Sequence, residues 1–454
     1  MRNALLLVLL CCGISSFGQD ICNNFYYKKF PREALLQDLD FVHDKILHAH
    51  INPFTEITPV QFEEKFRLIK ASLPDSMMQH EFYFKVIPIL NALNDEHSDL
   101  GDYCITDSLS ENFKIFPLRF KLRDNKVILT ENYSHARIKL GDELLSINGV
   151  KIDDMLDSCE NIIPGLKESR KATFVDLMWV YLPRYCYFFM DAYQLTFRSG
   201  NSVTVAGQYK PEFAQNYKAP KKDPAAIVFN TYGDVAYLTV NNFNDQGTLS
   251  RNDWSRSIDS IFTLIQRKQC KTLFVDVSDN RGGNSELGDM IISYFNDKPY
   301  SDYSGKWKKS QEYLRVMKQL HIEDPAYEKL QEGEIMAIPS TIIQPVSRTN
   351  RFTGKTYVVI GKNTFSSAMM FAVISKDNKL ATLIGETPIK GHPNGFGELI
   401  GFRTPHTNLS FIFSVKEWIR PSGDTSINVL IPDIQVPVEN KTAQQIIKQM
   451  ISMK

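Results

Sequence analysis

The chain has 454 residues, too many for one ordinary domain and suited to two or three. Hydrophobic residues make up 43%, enough to build packed cores and too many for a disordered chain. Lys+Arg and Asp+Glu are both 52, so the charge balance gives no reason to expect nucleic acid or an anionic membrane as partner.

At the N-terminus, Arg2 precedes an apolar run from Ala4 to Leu10, extended by Cys11 to Ile14, with Ser16 and Gly18 as small residues before Gln19. This three-part pattern predicts a secretory signal peptide over 1–18, too short to span a bilayer, and hence a periplasmic or extracellular protein. No later stretch reads as a membrane span. With Cys11 and Cys12 removed, Cys22, Cys104, Cys159, Cys186 and Cys270 remain, an odd set without a CxxC pair. Neither a zinc knuckle nor a thioredoxin motif is indicated.

In chain order, a helical N-terminal region is expected over 19–105. Leu35, Leu39, Val42 and Ile46 repeat at three- and four-residue steps, as do Phe62, Phe66 and Ile69, and then Phe82, Val86, Leu90 and Leu93. Asn52-Pro53 separates the first two helices. A β-rich module follows over 109–208. Phe116, Leu118, Phe120 and Leu122 alternate, Asp124-Asn125 marks a turn, and Asn148-Gly149 after Leu144 to Ile147 is a tight hairpin signal. The stretch Gly141-Asp142-Glu143-Leu144-Leu145-Ser146-Ile147-Asn148-Gly149 resembles PDZ domains. From about Pro224 to the end, strands and helices alternate, which predicts an α/β layer with parallel pairing. The strands are read at Val235–Val240, Thr272–Val277, Tyr357–Ile360 and Ala381–Ile384; the helices at Ile258–Arg267, Leu287–Phe295 and Ser366–Ser375. Residues 306–355 are charged and partly helical without a core pattern, and read as a lid or surface excursion.

Three segments could carry chemistry. Ser366 follows an apolar strand and a tight polar turn and opens a helix, so its hydroxyl projects where α/β folds place sites, next to unpaired helical N–H groups. On this pattern alone a helix cap explains it better. Gly282-Gly283 lies in the loop after the buried strand ending at Val277, and its N–H groups could face a developing oxyanion; a plain glycine turn is the alternative. His97, in Asp95-Glu96-His97-Ser98-Asp99, is a candidate general base or a structural histidine. His48 and His50 have no further ligand at metal spacing, so no metal is assigned, and no cofactor is expected.

Together these segments are similar to the C-terminal processing (tail-specific) peptidases and the related tricorn protease core: a helical region, a "D-x-H-[ST]" turn, a PDZ-like module, "D-[LV]-x-x-N-x-G-G" at a strand end, "[ST]-x-S-x-A" at a helix start, then Gly385-Glu386-Thr387. The resemblance implies a crotonase- or ClpP-like catalytic core over 224–454, with 306–355 inserted, and a serine-type peptidase acting on peptides or proteins. It puts the nucleophile at Ser366 and the oxyanion donors at Gly282, Gly283 and the Ser367 N–H. Two bases stay open: His97, as in the tricorn-like branch, and Lys390, one residue short of the position of the lysine in the processing branch. The sequence departs from the family at Ser278 and Met369. The acidic residue that orients the histidine falls on Ser426, with Asp424 nearby as a substitute. These departures keep two other readings open: a weak or inactive peptide-binding protein on the same fold, and a hydrolase of non-peptide esters. Oligomeric state is not readable from the sequence.

Overall fold

A computed structural model describes residues 28–101, 114–159, 161–163, 165–182, 190–216, 225–247 and 249–453. The expected signal peptide, Cys22, Cys104 and Cys186 lie outside these; Cys270 is unpaired. Among the described residues no helix is long and apolar enough to cross a membrane.

Three helices open the chain: α1 (Arg32–Ala49), α2 (Pro59–Ala71) and α3 (Gln79–Asn91). The apolar stripes lie where the periodicity puts them, with Leu35, Leu39, Val42, Ile46, Phe62, Phe82 and Val86 fully buried. Thr58 starts α2 with a reciprocal capping box to Gln61 and Pro59 at the first helical position. The short strand β1 (Asp99–Gly101) follows the His97 turn.

The β-rich part holds a hairpin, β2 (Leu118–Arg123) and β3 (Lys126–Asn132), and strands β4 (Leu144–Ile147), β5 (Ala192–Phe197) and β6 (Ser202–Ala206). Both predicted turns form. Asp124 and Asn125 adopt φ 47 and 58, and Asn148 and Gly149 adopt φ 50 and 80, the paired left-handed residues of a two-residue hairpin.

The C-terminal half is built on a six-stranded sheet. Edge strand β7 (Ile227–Tyr232) runs antiparallel to β8 (Val235–Val240), which continues in parallel through β9 (Thr272–Asp276). Helix α4 (Arg251–Arg267) makes that crossover, and α5 (Ser285–Ile292) follows β9. Helix α4 starts seven residues before the apolar pattern suggests, because Ser250 and Asp253 form a capping box on a polar first turn. A second, antiparallel sheet begins with β10 (Ser304–Lys308), is followed by α6 (Gln311–Gln319), and continues with β11 (Ile335–Ile338). The parallel sheet resumes at β12 (Lys355–Ile360), helix α7 (Ser367–Asp377) and β13 (Thr382–Gly385). Two long strands, β14 (Gly395–Arg403) and β15 (Ser410–Ile419), complete the antiparallel sheet, and β16 (Ile434–Gln435) and α8 (Ala443–Ser452) end the fold. Helices cover both faces of the parallel sheet. Leu273, Val275, Val358 and Ile360 pack under α4, α5 and α7, while Tyr237, Phe274, Tyr357 and Val359 pack under α8. Burial on both faces explains why these strands read as unbroken apolar runs.

Residues 306–330 correct the expectation of a surface excursion, whereas 331–349 run over the surface as expected. Trp307, Tyr313, Met317 and Tyr327 are buried in one core with α1, α3 and β15. Trp307 stacks on Tyr327 with centroids 4.1 Å apart, and Lys416 Nζ sits 3.7 Å from the Trp307 ring centroid. A core made of dispersed aromatics lacks the regular apolar period that sequence reading looks for. The same core shows that the N-terminal helices are not a separate unit: β1 pairs with Ser410–Ile412 of β15.

Asp38 of α1 is the polar tie across this core. It is fully buried and accepts hydrogen bonds from the N–H groups of His406 (3.0 Å) and Thr407 (2.7 Å) and from the Thr407 hydroxyl, all in the β14–β15 turn. Removing the carboxylate strands buried donors, so Asp38→Ala is expected to cost about 3 kcal/mol of stability in urea unfolding. A loss below about 1 kcal/mol contradicts this reading of the joint.

Candidate active site

Ser366 stands at the end of β12. The turn before it is pinned from beneath. Buried Thr364 donates from Oγ1 to the Val277 carbonyl (2.9 Å) and accepts from the Gly361 N–H (3.0 Å). The Phe365 N–H donates to the Asn280 carbonyl at 3.0 Å. Ser366 itself has φ 54 and ψ −126, outside the ordinary regions for a side-chain-bearing residue, and its hydroxyl makes no helix-capping hydrogen bond. This removes the helix-cap alternative. The surrounding turn holds the serine in a strained backbone that projects Oγ away from the helix.

His97 Nε2 lies 3.4 Å from Ser366 Oγ, although the two residues are 269 apart in sequence. The imidazole is 11% exposed, with the Phe365 ring 5.1 Å away centroid to centroid. Its turn is held by Asp95, which is fully buried and accepts from the His97 N–H (2.8 Å), Ser98 Oγ (2.9 Å), the Ser414 N–H (2.9 Å) and Ser414 Oγ (3.1 Å). His50 Nε2 is a further 3.4 Å from Asp95 Oδ2. Burial pushes the Asp95 carboxyl upward, but His50, the charge of His97 and the His97 N–H outweigh it and hold Asp95 ionised, well below the usual carboxylate range. Asp95 Oδ1 is 3.9 Å from His97 Nδ1, an electrostatic contact beyond hydrogen-bond length. Burial lowers the pKa of His97 and Asp95 partly opposes this, so the imidazole is neutral at pH 7.

Asp95, Glu96 and His97 each place one donor atom within 4.8 Å of the other two. Asp95 already receives four hydrogen bonds on its two oxygens, so the trio is a hydrogen-bonded turn rather than a set of free ligands. Glu96 Oε1 accepts from the Phe396 N–H at 3.0 Å. Burial first, then the Asp95 charge, push the Glu96 carboxyl well above the ordinary value.

The glycine loop meets the nucleophile from the other side. Gly282 has φ 99, and a Cβ there would stand 2.7 Å from Ser366 Cβ and 2.9 Å from the Ser367 nitrogen. Its N–H donates inward to buried Asn280 Oδ1 at 2.8 Å, so Gly282 supplies room rather than an oxyanion donor. Gly283 has φ 133, and its carbonyl accepts from Ser367 Oγ at 2.6 Å. Among the described residues no acceptor is recorded for the N–H groups of Gly283 and Ser367. These two are the available oxyanion donors.

The other two predicted residues lie elsewhere. Lys390 is half-buried, with no hydrogen bond to Ser366. Burial lowers its pKa, Arg281 and Lys121 lower it further, and Asp176 opposes them; Lys121 and Asp176 belong to the β-rich part of the chain. Asp424 accepts from the Ser426 N–H (2.8 Å) and Ser426 Oγ (2.6 Å) in an exposed turn, and no contact joins it to His97. The carboxylate behind the histidine is Asp95, two residues away on its own turn. The D-x-H pattern signalled it, but a contact at that spacing reads as local turn chemistry rather than as a functional partner. His50 was missed as well: its neighbour His48 points outward and its Nδ1 lies 2.9 Å from Asp44, whereas His50 turns inward beneath the site.

Residues 234–436 match the model of Peptidase family S41. The fold is similar to the crystal structure of mature CPAF over 89% of this chain and 93% of that one, with TM-score 0.63 and 16% identity. A structure of mature CPAF complexed with lactacystin matches over 89% and 94%, with TM-score 0.64 and 15% identity. No curated protein matches. The segment that matches the model of Peptidase family S41 carries both Ser366 and the glycine loop, and the fold around it is similar to that of mature CPAF.

Proposed function

We propose that the chain is an exported serine peptidase that cleaves peptide bonds through an acyl-enzyme on Ser366, with His97 as its base. The observation that carries this is the 3.4 Å approach of His97 Nε2 to Ser366 Oγ, made by a serine without a capping role. The N-terminal pattern supports export, and the shape of the chain supports a crotonase/ClpP-like core with a PDZ-like module that engages an extended peptide.

In this mechanism neutral His97 accepts the Ser366 hydroxyl proton on Nε2 as Oγ bonds to the substrate carbonyl carbon. The carbonyl oxygen takes the negative charge between the N–H groups of Gly283 and Ser367. The imidazolium, facing ionised Asp95, then protonates the leaving amine, and the C–N bond breaks. Water attacks the ester, His97 takes its proton, and the acid is released as Ser366 regains a proton. Asp95 acts as a positioning residue and stabilises the imidazolium through space. Lys390 has no part in this proton transfer.

A second reading, a peptide-binding protein of weak activity, has one observation in its favour: His97 Nδ1 has no hydrogen bond. Labelling by a fluorophosphonate probe separates the two. The wild-type mature chain is expected to label and to release fragments from a peptide library, and Ser366→Ala to do neither. Unlabelled wild type, or equal labelling of Ser366→Ala, contradicts the peptidase reading.

The acid limb of kcat/KM should have its midpoint below the ordinary histidine value of 6.5, because burial disfavours the imidazolium in the free enzyme. Replacing Asp95 with Asn removes a contact that raises this pKa, so the limb should move further toward acid while kcat falls. A limb at or above 6.5 in wild type, or an upward shift in the variant, runs against this electrostatic account. Gly282→Ala, with its methyl directed at Ser366 Cβ, should lower kcat by about 100-fold or more, as loss of an oxyanion site does; steady-state kinetics on folded protein checks it.

A further inference from the structure

Several cations drawn into this protein have an acceptor. Lys416 Nζ meets Glu398 at 3.1 Å, Arg420 Nε meets Asp377 at 2.9 Å, Lys45 Nζ meets Glu312 at 2.7 Å, and Lys309 Nζ donates to the Tyr327 carbonyl at 3.0 Å. Lys390 is half-buried too, yet among the described residues no hydrogen bond or ion pair is recorded for its ammonium group. Arg281, which is exposed, has none either. The two cations lie within electrostatic reach of each other. Lys121 is a third positive charge in reach of Lys390, and the carboxylate that opposes them, Asp176, is already held by Lys121 at 3.1 Å. An ammonium group taken partly out of water beside like charges is unfavourable, and an anion that enters between them relieves that cost.

Both cations are anchored at the nucleophile's turn. Arg281 precedes Gly282, whose Cβ position is 2.7 Å from Ser366 Cβ. Lys390 precedes Gly391, whose Cβ position is 3.0 Å from Phe365 Cδ2. Gly391 also shares with His97 and Ser366 the wall of the small cavity beside the nucleophile, while Lys390 and Arg281 lie outside that lining. An extended peptide advances about 3.3 Å per residue, so the residues within three of the attacked carbonyl pass within ~10 Å of Ser366. A group that meets the two cations therefore branches sideways from a chain bound at the serine.

We propose that Arg281 and Lys390 form a subsite for an acidic side chain, glutamate or aspartate, of a peptide bound at Ser366, within three residues of the bond that is cut. The inference rests on the peptidase reading of Ser366 and adds the substrate class, an acidic peptide. Glutamate and glutamine have the same shape, so the preference between them reports the charge and not the fit. Arg281 offers a planar fork to the carboxylate, and Lys390 offers a point charge that burial screens less from its ligand than an exposed lysine is screened.

The test starts from an uncharged quenched-fluorescence peptide with blocked ends, whose cleavage site is fixed by mass spectrometry. Glutamine or glutamate is then placed at each of the three positions on either side of that bond. At one of these positions wild type should cleave the glutamate peptide with kcat/KM about tenfold above glutamine. The gain should shrink in about 1 M salt, where charges are screened beyond ~3 Å. Arg281→Gln and Lys390→Met should each lower the ratio, and the double variant Arg281→Glu with Lys390→Glu should favour lysine over glutamate at the same position. Each ratio is read within one variant, so a change in overall rate does not enter it. A wild type that cleaves the series with ratios within about twofold at every position overturns the subsite, as does a preference that both single variants leave unchanged. A gain seen only with a free C-terminus, side-chain glutamate being inert, assigns the cations to a chain end and overturns the choice of a side chain. A wild type that neither labels with fluorophosphonate nor cleaves any of these peptides overturns the peptidase reading and this inference together.

Discussion

The site depends on one buried carboxylate. Ser366 and His97 come from opposite ends of the chain, and what brings them together is Asp95, tied to both the Ser414 backbone N–H and hydroxyl on β15 and to its own turn. A buried carboxylate is tolerated only when it is well paired, and breaking such a set costs about 3–5 kcal/mol. Asp95 has hydrogen bonds on both oxygens and a histidine on either side, His50 below and His97 above. Its depressed pKa is also a statement about stability. The contribution is fully present above the unfolded carboxylate value near 3.8 and is lost as pH falls below it. Glu96, next in sequence, works in the opposite sense. Its raised pKa means a contribution that is present below about 4.5 and fades as pH rises toward the folded value.

On this anchor rests a strained arrangement. Ser366 at φ 54 is held by Thr364 and Asn280 rather than by any preference of its own. Asn280 has two tasks, since its carbonyl fixes Phe365 while its side chain takes the Gly282 N–H. Turning that N–H inward leaves the Gly283 and Ser367 N–H groups, with no backbone acceptor among the described residues, as the donors that the proposed mechanism uses. The close approach of Gly282 to Ser366 then becomes a matter of volume, which no larger residue can meet.

Much of this was legible in the amino-acid order. The apolar stripe of α1, the runs of β9 and β12 and the Asp124-Asn125 and Asn148-Gly149 turns follow from local periodicity and backbone preference, and they formed as read. Ser366, His97 and the glycine loop were found by motif order, and the structure brings all three together. What sequence could not give is anything that depends on packing across long separations. The aromatic core of Trp307, Tyr313 and Tyr327 has no period, so residues 306–355 read as a surface excursion. Asp424 was offered only as a substitute beside Ser426, where the resemblance puts the acidic residue, yet it is spent on Ser426, and the carboxylate near His97 is a sequence neighbour. The choice between His97 and Lys390 needed a distance, which loop lengths do not supply.

The central claim is that His97, not Lys390, activates Ser366. The most direct measurement is the second-order rate of fluorophosphonate labelling of Ser366 at pH 7 in His97→Ala and Lys390→Met, set beside wild type. Loss of the general base should slow His97→Ala by about 100-fold or more, while Lys390→Met stays within a few-fold of wild type. A slow Lys390→Met beside a near-normal His97→Ala would contradict the account and move the base to the lysine.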